Sequence, residues 1–129
     1  MRLGYTIIYV ADVAATVAFY ESAFGLTQRF IHESGLYAEM DTGETTLAFA
    51  GEAMADMNGV AIRPNRPGEL PAGFEICLVT DTPEDGYDRA VAAGAAAVKA
   101  VESKPWGQRV GYVRDLNGCI VEICSPVQG

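Results

Sequence analysis

Two glutamates, Glu75 and Glu122, each interrupt an apolar, strand-like run of the chain, at 74–80 and 118–124. A carboxyl group in a half-apolar environment has a raised pKa, and its carboxylate can then abstract a proton beside a carbonyl group. If the two carboxyl groups face each other, at least one of their pKa values should be raised. Glu75 and Glu122 are therefore the leading candidates for acid–base catalysis. The alternative is that each glutamate only hydrogen-bonds a neighbour.

Other side chains that could act as metal ligands or nucleophiles are few. His32 is the single histidine, which limits both metal binding and acid–base catalysis through imidazole, and we expect it to be an ordinary strand residue. The three cysteines, Cys77, Cys119 and Cys124, are odd in number and form no C-x-x-C motif. Because all three lie in apolar runs, we predict buried, reduced thiols that pack as small hydrophobic residues.

Several aromatic, aliphatic and basic side chains are candidates for ligand binding. Trp106 lies on a loop flanked by proline and glycine, where it would cover a cavity; alternatively, it only packs the end of the sheet. Tyr112 and Arg114 are two residues apart on the following strand, so they share a face and would line the same cavity. On the first strand, Tyr5 and Ile7 would face it as well.

Hydrophobic periodicity predicts the elements that position these residues. The apolar segment 3–11 is typical of a strand, and Asp12 after it is a good helix N-cap. An apolar stripe of helical spacing follows and stops at Gly25, which is typical of a helix C-terminus. Three short strands are predicted next, at about 27–33, 36–41 and 45–50.

The same order of elements recurs after a linker rich in proline and glycine, at about 52–72. A strand at 74–80 leads into Asp81-Thr82-Pro83, which begins a helix that ends near Gly94. Asp12 and Asp81 are separated by the same number of residues as Gly25 and Gly94. Three strands then follow, at about 96–101, 109–114 and 118–124. The sequence therefore predicts one domain over 1–129 made of two copies of a βαβββ module, at about 1–51 and 73–126.

Strand alternation assigns the candidate residues to one face of each predicted sheet. Glu75 and Cys77 face away from the helix in the second module, as do Ile120, Glu122 and Cys124. This mixture of carboxylates and apolar groups suits neither a pure core nor a pure solvent face, but it suits the inside of a sheet that holds a ligand. We predict an α+β fold in which two tandem βαβββ modules form a curled mixed sheet around a cup-shaped cavity.

Two segments resemble the opening and closing motifs of the vicinal oxygen chelate superfamily, which includes glyoxalase I, bleomycin-resistance proteins, fosfomycin-resistance enzymes and extradiol dioxygenases. The first combines a strand, Asp12 and a helix carrying FY at 19–20 and FGL at 24–26. The second is VRDLNG at 113–118, followed by VE at 121–122. The resemblance covers essentially residues 3–125. It implies the duplicated fold, and it is closest to the bleomycin-resistance-like members.

The resemblance also implies where a metal would bind, because metal-dependent members take their ligands from the first and last strand of each module. Those positions are Tyr5, Ala48, Glu75 and Glu122 in this sequence. Glu122 matches the usual final glutamate, whereas Glu75 stands where histidine is common and Ala48 has no donor atom. Transition-metal sites normally use three or four protein donors. We therefore expect no cofactor, although Glu75 and Glu122 could hold a divalent metal loosely.

Three functions follow from these observations, so the sequence leaves open whether the protein is an enzyme. The first is metal-independent binding of a small planar or amphipathic molecule in the sheet cup, as in bleomycin-resistance proteins. The second is a divalent-metal-dependent lyase, isomerase or dioxygenase of the glyoxalase type, with Glu75 and Glu122 as ligands. The third is a metal-free acid–base enzyme that uses Glu75 or Glu122. The resemblance further implies a homodimer.

The composition restricts the partners and the location. The 129 residues include 17 acidic and nine basic side chains, which gives a net charge of −8. This balance argues against nucleic-acid binding and against a polybasic membrane anchor. Asp12 interrupts the apolar N-terminal segment before it reaches the pattern of a signal sequence, and no apolar run is long enough to span a membrane. We expect a cytoplasmic protein whose partner is a small-molecule ligand.

Overall fold

A computed structural model describes residues 1–127, and its contacts divide the chain into two units. The first unit is Met1–Asn65 and the second begins at Arg66, so the predicted linker is shared between them. Each unit contains one βαβββ module, which confirms the duplication inferred from the sequence. Among the described residues, no helix has the length and hydropathy required to cross a membrane.

The first unit is a four-stranded mixed sheet with one long helix against one face. Its strands have the order β1-β4-β3-β2, in which β1 is parallel to β4 and the other neighbours are antiparallel. The short helix at its end occupies the first residues of the predicted linker. The elements are β1 (Tyr5–Val10), α1 (Val13–Phe24), β2 (Thr27–Ile31), β3 (Tyr37–Asp41), β4 (Thr46–Gly51) and α2 (Glu52–Met57).

The long helix α1 begins and ends where the sequence predicts. The Asp12 side chain accepts a hydrogen bond from the Ala15 backbone N–H at 3.0 Å, and Gly25 ends the helix in the left-handed conformation. The apolar face of the helix packs on the sheet through Tyr20, whose ring centroid lies 4.8 Å from that of Phe49 on β4. Both side chains are fully buried. The core of this unit is therefore partly aromatic.

The second unit repeats this architecture with an aliphatic core. The strand order is β5-β8-β7-β6, with β5 parallel to β8, and neither sheet of the molecule closes on itself. Buried residues beneath its helix include Val121 and Ile123 on the last strand. The elements are β5 (Glu75–Val79), α3 (Pro83–Ala92), β6 (Ala96–Ser103), β7 (Arg109–Arg114) and β8 (Ile120–Cys124).

The helix of the second unit starts one position later than the match between Asp12 and Asp81 implies. Its N-cap is Thr82, followed by Pro83 at the first helical position. Proline is well suited to that position because its fixed φ is helical and its missing N–H would have no partner there. Thr82, rather than Asp81, is therefore the structural counterpart of Asp12.

Candidate functional site

The open face of the second sheet, which is the face opposite α3, carries the candidate residues that the sequence places there. Glu122 lies on the inner strand β8, where it pairs with Cys77 on β5 and with Tyr112 on β7. Glu75 and Cys124 lie on the same face, two residues from the paired positions. We call these five residues the Glu122 cluster.

Hydrogen bonds link the members of the Glu122 cluster. The Cys77 thiol donates to Oε2 of Glu122 across 3.0 Å, and its sulfur lies 3.5 Å from the sulfur of Cys124. The Glu122 carboxylate also accepts hydrogen bonds from Glu75 and from the Tyr112 hydroxyl. Several donors therefore converge on one half-buried carboxylate.

The pKa values of the two carboxyl groups, Glu75 and Glu122, are shifted in opposite directions. Partial desolvation raises the pKa of Glu75, and the hydrogen bond to Glu122 and the negative charge of that residue raise it further. Desolvation also acts to raise the pKa of Glu122, but hydrogen bonds from Cys77, Glu75, Cys124 and Tyr112 outweigh it and lower that pKa. The hydrogen bond between the two carboxyl groups thus favours the proton on Glu75 and the negative charge on Glu122.

The thiols and the phenol around Glu122 are held in their protonated forms. Burial is the main cause that raises the pKa of Cys77, and its hydrogen bond to Glu122 adds to the effect. Burial likewise raises the pKa of Cys124. For Tyr112, burial and the negative charge of Glu122 raise the pKa to about 12. At neutral pH these groups therefore act as hydrogen-bond donors and not as nucleophiles.

The prediction of three buried thiols is correct for two cysteines and wrong for the third. All three are free, but Cys77 is exposed whereas Cys119 and Cys124 are buried. Cys77 lies on the edge strand β5, so neighbouring strands cover it from one side only. Strand alternation had already placed Cys77 and Cys124 on the face of the two glutamates, and this is the signal that could have identified them as site residues.

The first sheet has a different chemistry at the equivalent strand positions. Ile7 pairs with Ala48 there, as Cys77 pairs with Glu122 in the second sheet. Tyr5 and Ile7 are exposed, with 57% and 47% of their surface accessible, and Ala48 is fully buried. The Tyr5 hydroxyl is the one polar group among these three side chains, whereas Glu39 supplies a carboxylate where β3 pairs with Ala48.

An ion-pair network, which the sequence did not suggest, lies beside these residues on β2 and β3 of the first sheet. Arg29 donates to Oε1 of Glu39 and to the Thr46 hydroxyl, both at 3.1 Å. The Tyr37 hydroxyl donates to the other Glu39 oxygen at 2.8 Å, and Asp41 lies 3.6 Å from the guanidinium. The Glu39 carboxylate is thereby paired with a cation, unlike that of Glu122.

Two further candidates are held by neighbours outside the Glu122 cluster. Trp106 lies in the turn between β6 and β7, is 60% exposed, and donates from Nε1 to the Gln108 side chain at 2.7 Å. Arg114 donates to the backbone carbonyls of Gly118, Arg66 and Glu69 at 2.8, 3.3 and 2.5 Å. Its guanidinium therefore fastens the linker to the β7–β8 turn, a role that the sequence did not indicate.

His32 and Cys119 are also explained by local contacts. His32 is exposed at the end of β2, and its Nδ1 lies 2.8 Å from the Ser34 hydroxyl. Cys119 is buried in the β7–β8 turn, where its backbone N–H donates to Oδ1 of Asp115 at 2.9 Å. Cys119 therefore lies in the same unit as the Glu122 cluster but does not belong to that cluster.

Comparison with known proteins agrees with the fold and the motifs. The model of the Glyoxalase/Bleomycin resistance protein/Dioxygenase superfamily matches residues 2–123. The chain belongs to this superfamily. An uncharacterized protein of Bacillus subtilis strain 168, YraH, is 27% identical over 125 residues, which are 95% of this chain and 97% of the relative.

Two solved structures share the fold over nearly the whole chain. A glyoxalase-related enzyme from Fulvimarina pelagi has a TM-score of 0.80 at 23% identity, over 98% of this chain and 88% of its own. A glyoxalase/bleomycin resistance protein/dioxygenase family enzyme from Burkholderia phytofirmans PsJN has a TM-score of 0.80 at 24% identity, over 99% and 100%. At these identities the likeness concerns the fold.

The donor set that the family resemblance assigns to a metal does not fit one in this chain. Ala48 offers only a methyl group, and it is fully buried. Tyr5 offers a phenol, and Glu75 is already hydrogen-bonded to Glu122. A transition metal normally requires three or four donors that are free to ligate, most often with imidazole among them. This donor set therefore does not support the second candidate function, glyoxalase-type metal chemistry.

Proposed function

We propose that the protein binds a small planar or amphipathic molecule on the open face of its second sheet, without the metal that the family's catalytic members use. The observation that supports this most directly is the Glu122 cluster itself. Glu75 and Glu122 are joined by a hydrogen bond on a strand surface that also carries the exposed apolar side chain of Val79. Such a surface offers a few oriented polar groups surrounded by hydrophobic area, as small-molecule sites do.

Polar and apolar groups alternate across this face. Val79 and Ile120 lie on it, and Val79 is 62% exposed. Hydrogen bonds lower the pKa of Glu122, and within the described part of the chain no cation is among its hydrogen-bond partners. A ligand with an apolar body and a donor or positively charged group would satisfy both features. The net charge of −8 acts in the same direction, because it opposes the approach of anions.

The proposal is tested with a planar cationic dye of the acridine type and an anionic naphthalene sulfonate as its charge-reversed counterpart. We expect the cationic dye to bind in the presence of a chelator, with affinity that falls about tenfold in Glu122→Gln because a charged hydrogen bond is lost. Glu102→Gln, which removes an exposed carboxylate of the same unit, should leave the affinity unchanged. Equal loss in both variants, or binding that requires a divalent metal, would reject the proposal.

A second candidate, a metal-free acid–base enzyme, is supported by the opposite pKa shifts of Glu75 and Glu122. A pair of carboxyl groups with separated pKa values can supply an acid and a base at the same pH. On this alternative, Glu75→Gln should abolish turnover of a carbonyl substrate with an acidic α-proton while dye binding persists. Unchanged turnover would remove Glu75 from the role.

We also propose that the protein is a homodimer in the cytoplasm. The support is the family resemblance for the dimer and the composition for the location. Light scattering of the purified protein tests the dimer, because a mass near that of one 13.7 kDa chain would reject it. Fractionation of cells that express the native gene tests the location.

A further inference from the structure

We propose that Cys77, Glu122 and Cys124 form a site for a thiophilic divalent cation of the Zn²⁺ or Cd²⁺ class. One ligand atom from each of these side chains lies within 4.8 Å of the other two. All three residues belong to two neighbouring strands of the second sheet, so the site is complete within one unit. It goes beyond the proposed function, which requires no metal.

The distances within the cluster are close to those of a tetrahedral zinc site. Two thiolates at about 2.3 Å from a zinc ion are about 3.8 Å apart in tetrahedral geometry, and the two sulfurs lie 3.5 Å apart. The Cys77 sulfur and the Glu122 oxygen, at 3.0 Å, would separate by about 0.5 Å when the ion enters. Movements of this size are within the reach of side-chain rotation alone.

The cluster also supplies the surroundings that a metal site needs. Among the described residues, Glu122 is hydrogen-bonded by thiol, carboxyl and phenol groups and by no cation, so no basic side chain competes there with a metal ion. The Cys124 sulfur is anchored in the buried part of the sheet, while Cys77 is exposed and leaves a path for the ion. Glu75 and Tyr112 hydrogen-bond Glu122 and would orient its carboxylate toward the ion.

Binding would replace hydrogen bonds by metal–ligand bonds. Each thiol that ligates loses its proton to the solvent, so one Zn²⁺ releases two protons as it gains two thiolates and a carboxylate. No electron is transferred in this exchange. Soft sulfur ligands select Zn²⁺ and Cd²⁺ over Mg²⁺ or Ca²⁺, which bind oxygen. The donor set therefore differs from the one that the family resemblance assigns to Tyr5, Ala48, Glu75 and Glu122.

The strand register favours metal binding over a disulfide between the same two cysteines. Cys124 pairs with Val79, so Cys77 is its diagonal neighbour across the two parallel strands. Diagonal residues on adjacent strands are typically about 7–8 Å apart. A disulfide joins α-carbons that are usually less than about 6.8 Å apart. A cation between the sulfurs spans the larger separation without a movement of the backbone.

The test is a titration of the reduced, full-length protein with Co²⁺, which reports on its ligands by absorption. We expect one Co²⁺ per chain, a thiolate-to-cobalt charge-transfer band in the near ultraviolet, and the intense visible bands of tetrahedral coordination. Zn²⁺ should remove both signals by displacement, and Mg²⁺ in excess should not. Absence of a charge-transfer band, or displacement by Mg²⁺, would overturn the proposal.

Cysteine variants locate the site, and the third cysteine provides a matched control. Cys77→Ser and Cys124→Ser should each weaken Co²⁺ binding more than about tenfold and diminish the charge-transfer band. Cys119→Ser, which removes a buried thiol of the same unit, should keep the full band. A band that survives in the first two variants, or disappears in Cys119→Ser, would contradict the assignment.

Because Cys124 is buried, its variant could lose metal binding by misfolding, so Glu122→Gln is included. Glu122 is half-buried, and the amide of glutamine has nearly the same shape. We expect Glu122→Gln to retain its circular dichroism spectrum and to bind Co²⁺ at least about tenfold more weakly. Undiminished affinity in this folded variant would exclude Glu122 as a ligand and reject the proposed site.

The outcomes for the metal site and for the proposed function can be distinguished. Dye binding is measured in the presence of a chelator, where it does not depend on the cation. Co²⁺ binding is measured without dye, where it does not depend on the small-molecule ligand. The metal site fails if wild-type protein that binds the dye gives no charge-transfer band with Co²⁺, and the proposed function fails if wild-type protein without metal does not bind the dye.

Discussion

The open faces of the two sheets have the same backbone pattern but different side-chain chemistry. In the first sheet, the Ile7–Ala48 pair is apolar, and the charged residues neutralise one another in the network of Arg29 and Glu39. In the second sheet, the equivalent pair is Cys77–Glu122, and the carboxylate of Glu122 is met by hydrogen-bond donors without a cation. The shared strand order therefore fixes where the side chains point, and the residue types give the two faces different chemistry.

The cores of the two modules differ as well, and substitutions in the core should have the largest effect on the free energy of unfolding. Phe49 is fully buried against Tyr20, so Phe49→Ala should lower the free energy of unfolding by about 3–5 kcal/mol. Phe30 on the same sheet is 39% exposed, and Phe30→Ala should cost about 1 kcal/mol or less. Urea unfolding of both variants measures the difference. Similar losses would show that the aromatic core is not what stabilises the first unit.

The turns before the last strand of each module provide the next comparison. Gly43 and Gly118 both have positive φ, 87° and 86°. A Cβ at Gly118 would lie 2.6 Å from the Arg66 carbonyl oxygen, whereas one at Gly43 meets nothing within 4 Å. Gly118→Ala should therefore cost about 2–5 kcal/mol, and Gly43→Ala about 1–2 kcal/mol. Thermal unfolding checks the order, and equal costs would mean that the linker does not press on the β7–β8 turn.

The ion-pair network of the first sheet should contribute moderately to the free energy of unfolding. Arg29→Met leaves the Glu39 carboxylate, whose side chain is only 12% exposed, without its cation. We expect a loss of about 1–2 kcal/mol, most of which the second substitution Glu39→Gln restores. A double-mutant cycle measures this coupling. Lys99→Met breaks an exposed pair with Glu102 and should cost less than about 0.5 kcal/mol, so a larger loss there would contradict the ranking.

The smallest effects concern one tyrosine in each sheet. Burial and the hydrogen bond to Glu39 raise the pKa of Tyr37 to about 12, the same value as for Tyr112. A raised pKa contributes stability that is fully present below about pH 10 and is lost as the pH rises toward about 12. In a spectrophotometric pH titration, Tyr37→Phe and Tyr112→Phe should each remove one phenol that ionises only at high pH. If either variant keeps its full absorbance change at high pH, the raised pKa does not belong to that residue.

Much of the fold could be predicted from the sequence because its signals are local. Helix caps, apolar spacing and turn residues act within a few positions, and they located α1 from Asp12 to Gly25 correctly. Alternation along a strand is also local, and it predicted that Glu75, Cys77 and Glu122 share one face, where the structure brings Cys77 and Glu122 within hydrogen-bond distance. The start of α3 at Pro83 also follows from local signals, because proline is well suited to the first helical position.

The roles of several site residues could not be predicted because they depend on partners far away in the chain. Arg114 was expected to line a cavity, but its guanidinium binds the carbonyls of Arg66 and Glu69. The salt bridge between Arg29 and Glu39 depends on the register of β2 against β3, which contains a bulge. Alternation says which face a side chain occupies, but only the register says which residue is next to it.

The sequence by itself determined two βαβββ modules, the face that Glu75, Cys77 and Glu122 share, and the poor match of Tyr5 and Ala48 to a metal site. These follow from periodicity and residue type. Only the tertiary structure decided that the Cys77 thiol meets Glu122 and Cys124, 45 and 47 residues further along the chain. The physical reason is that the parallel pairing of β5 with β8 is set by the packing of the whole module, which no short stretch of sequence encodes.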